Sequence, residues 1–163
     1  MKRSGFSLIE VLVAIAMIGL AIVSLVAANA VFTQNNSTAL DVSTAEYLIE
    51  QIRELTMLLP VVDPQMHTFF DVKEGSVAMY DDVDDFDDAQ FCPPINADRQ
   101  GLSAFAGFTQ KVTVQKVSSS NFEQVIDDNP TPPSPDSPFI RVKVDIYRHG
   151  IVLLSSSWIR ANY

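Results

Sequence analysis

Residues 1–25 read MKRSGFSLIEVLVAIAMIGLAIVSL, and the way this stretch is read decides the rest of the chain. Two basic residues and a glycine precede a long apolar run. From Val11 to Ala28 the only polar side chain is Ser24, a run long enough for a membrane-spanning helix. Pro60 is the first proline, so nothing before it forces a break, and Gly19 is tolerated in a membrane helix. Lys2 and Arg3 are the only basic residues before Arg53. By the positive-inside tendency the N-terminus stays in the cytoplasm and the remainder is translocated. One residue does not fit a plain anchor. Glu10 sits near the start of the apolar run, where an ionised carboxylate costs about 2.5–3.5 kcal/mol on insertion scales. Either it snorkels to the headgroup level, or it has a positive partner once water is gone.

Beyond Thr33 the composition changes. In QNNSTALDVSTAEYLIEQIRELTMLLP, Ala45, Leu48, Ile49, Ile52, Leu55 and Leu59 recur at three- and four-residue spacing, while Glu46, Glu50, Arg53 and Glu54 fall opposite. That is an amphipathic helix with one stripe to bury, ended by Pro60. One helix from Phe6 to about Leu59 is expected, apolar in its first half and amphipathic in its second, with QNNST as the place to fray or kink. The rest reads as β. Val112 and Val114 alternate with polar residues, as do Ile140, Val142, Val144 and Ile146. The run GIVLLSSSWIR follows His149-Gly150, which suggests a hairpin. Val77–Tyr80 is a further candidate strand, and Asn129–Pro138 a loop by composition. The expected fold is α+β: the amphipathic half-helix covers the apolar face of a C-terminal antiparallel sheet.

The chain has 163 residues and a formal net charge of −9, which opposes binding to nucleic acid. The single cysteine, Cys92, excludes an internal disulfide and a thiolate metal site. His67 and His149 lie near no patterned nucleophile, and Ser155–Ser157 lacks the glycine-flanked elbow of a hydrolase. No enzyme activity and no cofactor are expected. The run MYDDVDDFDDAQF holds six carboxylates, Asp81, Asp82, Asp84, Asp85, Asp87 and Asp88. Oxygen-rich clusters suit Ca²⁺, but the EF-hand spacing is absent, and charge runs are usually solvated. The preferred reading is a solvated acidic loop.

GFSLIEVLVAIAMIGL resembles the N-terminal signal of type IV prepilins and pseudopilins: a short basic leader ends in glycine, phenylalanine follows, and a glutamate comes four positions later. The resemblance implies a pilin-like fold and cleavage by a prepilin peptidase between Gly5 and Phe6, with N-methylation of Phe6. It also implies a partner for Glu10, the Phe6 ammonium of a neighbouring subunit in a fibre core of low dielectric. The implied division is a leader over 1–5, a transmembrane and fibre-core helix over 6–32, and a periplasmic or extracellular domain over 33–163. The implied partners are the peptidase, other pilin or pseudopilin subunits, and an inner-membrane assembly platform.

The DDVDD-aromatic segment and the ending Arg160-Ala161-Asn162-Tyr163 also resemble minor pilins of the mannose-sensitive haemagglutinin (MSHA) type. Two departures, the missing C-terminal disulfide and the absence of a proline within the N-terminal helix, point away from a major pilin. The expected function is therefore a minor type IV pilin. Alternatives are a type II secretion pseudopilin and, in another class, a membrane-tethered binding domain that never polymerises. Ala28-Asn29-Ala30 offers ordinary signal peptidase a site before Val31, but the apolar run is longer than a usual signal segment.

Overall fold

A computed structural model describes residues 5–62, 74–126 and 137–162. His67 and most of the loop expected at 129–138 lie outside the described residues. The chain falls into two compact units, Met1–Asp41 and Val42–Tyr163. Helix α1, Leu8–Met57, begins in the first and ends in the second. It runs unbroken through QNNST, so the expected weak point is helical. Its mid-helix hydroxyls do not compete with the ladder. Ser24, Thr33 and Thr38 donate to the carbonyls of Leu20, Asn29 and Gln34, at 2.8, 2.9 and 3.1 Å. Each hydroxyl is thereby satisfied within its own helix, which matters most where no water is at hand.

In the second unit the helix buries Ala45, Leu48, Ile49, Ile52, Leu55 and Thr56. All but Thr56 belong to the expected stripe; Leu59 is half-buried against the same core. Thr56 enters the stripe because its hydroxyl bonds the Ile52 carbonyl at 2.9 Å. The last turn of α1 carries no basic residue. The Arg160 guanidinium donates to the orphan carbonyl of Thr56 in that turn and, at 3.0 Å, to the carbonyl of Leu59 just beyond the helix. Cations at a helix C-terminus are also favoured by the dipole.

The sheet is antiparallel, with strands β1 (Gln90–Phe91), β2 (Phe108–Ser118), β3 (Asn121–Val125), β4 (Phe139–Arg148) and β5 (Ile151–Ala161). Their order is β1-β2-β4-β5, with β3 paired to the far end of β2. In β2–β4, Val112 faces Val144 and Val114 faces Val142. Those residues, with Ile140 and Ile146, bury the inner face against the helix stripe. The intervening rows, Thr109/Lys111/Thr113/Gln115 and Arg141/Lys143/Tyr147, are half-buried on the other face, so the period-2 reading holds.

The β4–β5 hairpin turns at His149 (φ 52°) and Gly150 (φ 78°). Two positive φ values match the hairpin turn whose twist suits the flanking strands. Gln110, fully buried among apolar neighbours, is satisfied on both ends. Its amide donates to the carbonyls of Leu48 (2.9 Å) and Ile95 (3.1 Å) and accepts from the Ile95 N–H (2.7 Å). It ties helix, sheet and the 92–102 loop together.

Two expectations are corrected, and two strands are added. Val77–Tyr80 is a turn, because four residues bounded by acidic and glycine positions find no neighbouring strand. β1 and β3 were absent from the sequence reading: one is two residues long, the other fully exposed. The acidic run is packed rather than solvated: Asp82, Asp84 and Asp85 are 1%, 7% and 3% exposed. Val83 and Phe86, both buried in the core, pull the short helical turn Asp84–Phe86 inward.

Candidate functional site

Gly5, Phe6 and Ser7 lie before the first helical residue, Leu8. The Gly5–Phe6 peptide bond is thus outside the helical hydrogen-bond ladder, and Phe6 is 88% exposed. Ser7 caps the helix. Its hydroxyl accepts from the Glu10 N–H at 3.3 Å, and its own N–H and hydroxyl donate to Glu10 Oε2 at 2.8 and 3.0 Å. This is the reciprocal arrangement of a capping box, with serine at the cap and glutamate three residues on.

Glu10 therefore has donors within its own chain before any neighbour arrives. The sequence reading missed this, although the S-x-x-E spacing at Ser7–Glu10 carried the signal. The carboxylate also sits in the first turn, where the helix dipole favours a negative charge. Every described residue from Gly5 to Leu40 is exposed, and up to Phe32 the helix has one acid at its head and mainly apolar side chains on all sides.

The six aspartates expected as one group are dispersed. Asp85 accepts from the N–H groups of Asp81 (3.0 Å), Asp82 (3.5 Å) and Glu74 (3.4 Å), and Asp82 accepts from the Asp85 N–H (3.1 Å). Asp87 accepts from the Val114 N–H at 2.8 Å and fastens the turn to β2. Asp88 points outward to Lys111 at 3.5 Å. The carboxyls that come together do so in two groups: Asp82 with Asp84, and Asp81 with Asp85 and with Glu74, a residue the sequence reading did not select; the carboxylate oxygens of this second group lie within 4.8 Å of one another.

The proximity shows in their protonation. Glu74 is raised to about 7, chiefly by a hydrogen bond to the Asp85 carboxylate and then by burial. Asp82 is raised to about 8, chiefly by burial and then by its hydrogen bond with Asp84. Ca²⁺ takes about six to eight oxygen ligands. Here both oxygens of Asp85 are already engaged by backbone N–H groups, and Glu74 shares its proton with the same carboxylate. The cluster reads as a proton-sharing fold element.

The other singled-out residues are structural in their surroundings. Ser155 donates to Asp145, and Ser156 accepts from Arg53 at 3.3 Å. His149 is in the turn, and Cys92 is exposed.

Residues 1–26 match the family model of the prokaryotic N-terminal methylation motif. No curated protein and no solved structure matches the chain. The motif, with one long N-terminal helix and a C-terminal antiparallel sheet, supports a type IV prepilin-like protein, pilin or pseudopilin, of α+β layout. Such a motif implies a prepilin peptidase substrate and assembly with pilin-like subunits. The apolar helix is long enough to cross a membrane, which fits membrane anchoring. The match ends at residue 26 and does not select the MSHA type.

Proposed function

We propose that this chain is a minor subunit of a type IV pilus. It inserts in the inner membrane with residues 33–163 on the periplasmic side. It is cut between Gly5 and Phe6 and methylated at Phe6, and it is then drawn by the assembly platform into a fibre. The observation that carries this reading is the head of α1: a cleavable bond outside the helix, a capped carboxylate at Glu10, and an exposed apolar helix behind it.

Cleavage creates an ammonium at Phe6, one residue before the cap. In the fibre, the Glu10 carboxylate pairs with the Phe6 ammonium of the next subunit. The pair is attractive where water is excluded, and losing one member strands the other.

Two measurements test this. The mass of the mature N-terminal peptide should be that of a chain beginning at methyl-Phe6; a chain beginning at Val31 overturns the reading. Glu10→Leu should insert and be cleaved normally yet fail to enter sheared fibres. Stranding a buried charge costs about 3–5 kcal/mol, or roughly a hundredfold or more in incorporation. Normal recovery of the variant in fibres would favour the membrane-tethered domain that does not polymerise. A type II secretion pseudopilin shares the same N-terminus; it is distinguished by whether loss of the chain impairs secretion rather than piliation.

A further inference from the structure

On the outward face of the sheet, several polar side chains pair with one another. Arg141 donates to Gln115 (2.8 Å) and Glu123 (3.2 Å). Lys143 donates to Asp145 (2.9 Å), which also accepts from Ser155. One corner differs. Gln90, Thr109, Lys111, Tyr147 and Gly150 line an open cleft of about 330 Å³. The register builds it: Thr109 lies opposite Tyr147 on β2–β4, and Gln90 opposite Lys111 on β1–β2, so all four side chains share one face. Gly150 in the hairpin turn forms the rim. Among the described residues, no hydrogen bond uses the side chains of Gln90, Thr109 or Tyr147, and the Lys111 ammonium has only the 3.5 Å contact with the exposed Asp88.

An amide, a hydroxyl, a phenol and an ammonium thus converge on one hollow of ligand-pocket size, about 300 Å³ or more. Together they offer more donors than acceptors. The Tyr147 ring adds an amphipathic surface for the C–H face of a small ring.

We infer that this cleft binds a saccharide unit bearing a carboxylate. Its hydroxyls meet Gln90, Thr109 and the Tyr147 phenol, and its carboxylate meets Lys111. A bare anion would leave the amide and the two hydroxyl groups unused, and a neutral sugar would leave the ammonium to Asp88.

The test is saturation-transfer NMR on the full chain in a sugar-free detergent, with galacturonate, galactose and acetate as separate probes. Transfer to galacturonate should exceed that to either other probe. Lys111→Gln and Tyr147→Ala should each weaken it at least fivefold, while Lys143→Gln, on the same face outside the cleft, leaves it unchanged. Trp158 fluorescence checks that each variant is folded. Equal transfer to acetate would make this a plain anion contact; equal transfer to galactose would remove the role of Lys111. Either result overturns the inference, as does absence of transfer to galacturonate or insensitivity to Lys111→Gln.

Discussion

The two halves of α1 use the same backbone for opposite ends. From Gly5 to Leu40 every residue is exposed, although most are apolar. From Ala45 to Thr56 six residues are buried, the three glutamates face out, and Arg53 turns to Ser156 and Trp158 on the sheet. A helix that is apolar all round has no single face to hide, so it suits lipid or the flanks of other helices. A helix with one stripe suits a single sheet. The first half is thus matched to partners outside its own chain, and the second to a surface that the chain itself supplies.

The sharpest way to break this contrast is to shorten one leucine in each half. Leu48 is fully buried in the core, and Leu12 is 56% exposed. Leu48→Ala should cost about 2–5 kcal/mol, because transfer energy is lost and a cavity remains. Leu12→Ala should stay within about 0.5 kcal/mol. Urea unfolding of the full chain in micelles reads both through Trp158, the only tryptophan, which lies beneath Arg53 at 4.8 Å in the second unit. A comparable loss from Leu12→Ala would mean that the first half contributes to the folded unit after all.

A second difference is in how the two regions keep acids. Glu10 is held by capping donors. Asp82 and Glu74 are held among other carboxyls and keep their protons, raised to about 8 and about 7. In the unfolded chain both ionise near the ordinary value of about 4. Between these limits the folded state binds more protons than the unfolded one, so stability falls as pH rises. The contribution is complete below about pH 4 and is lost as pH climbs through about 7 to 8. The urea midpoint should therefore decline from pH 6 to pH 9, and Asp82→Asn should flatten the decline. A midpoint that rises over that interval would reverse the assignment.

How much of this could be read from the residues follows from range. The helix stripe, the β2 and β4 alternation and the His149-Gly150 turn are local patterns, and each was legible. The inward pull on Asp82–Asp85 was not, because it depends on Val83 and Phe86 finding a core built by strands far along the chain. The Arg160 bonds to the helix end were equally hidden, since the two partners are 104 and 101 residues apart. β1 exists only because β2 offers it an edge; two residues have no periodicity of their own. At the head of α1 the motif revealed Gly5, Phe6 and Glu10 as a group. Ser7 stood between them as a plain polar residue until its three short contacts with Glu10 gave it a role.

Ser7 also gives the smallest and most specific test. Removing an N-cap side chain typically costs about 1 kcal/mol of local helix stability. Ser7→Ala takes away the hydroxyl that bonds both the Glu10 carboxylate and the Glu10 N–H, but leaves the backbone donor. Exchange of the Glu10 and Val11 amides, the two that bond to Ser7, should speed up about fivefold in micelles, the equivalent of that 1 kcal/mol. The urea midpoint reported by Trp158 should not move. Ser7→Thr, which keeps a capping hydroxyl, should restore slow exchange. If Ser7→Ala leaves the exchange unchanged, the cap does not hold Glu10, and the carboxylate is tolerated at the head of the apolar run for some reason other than donors in its own chain.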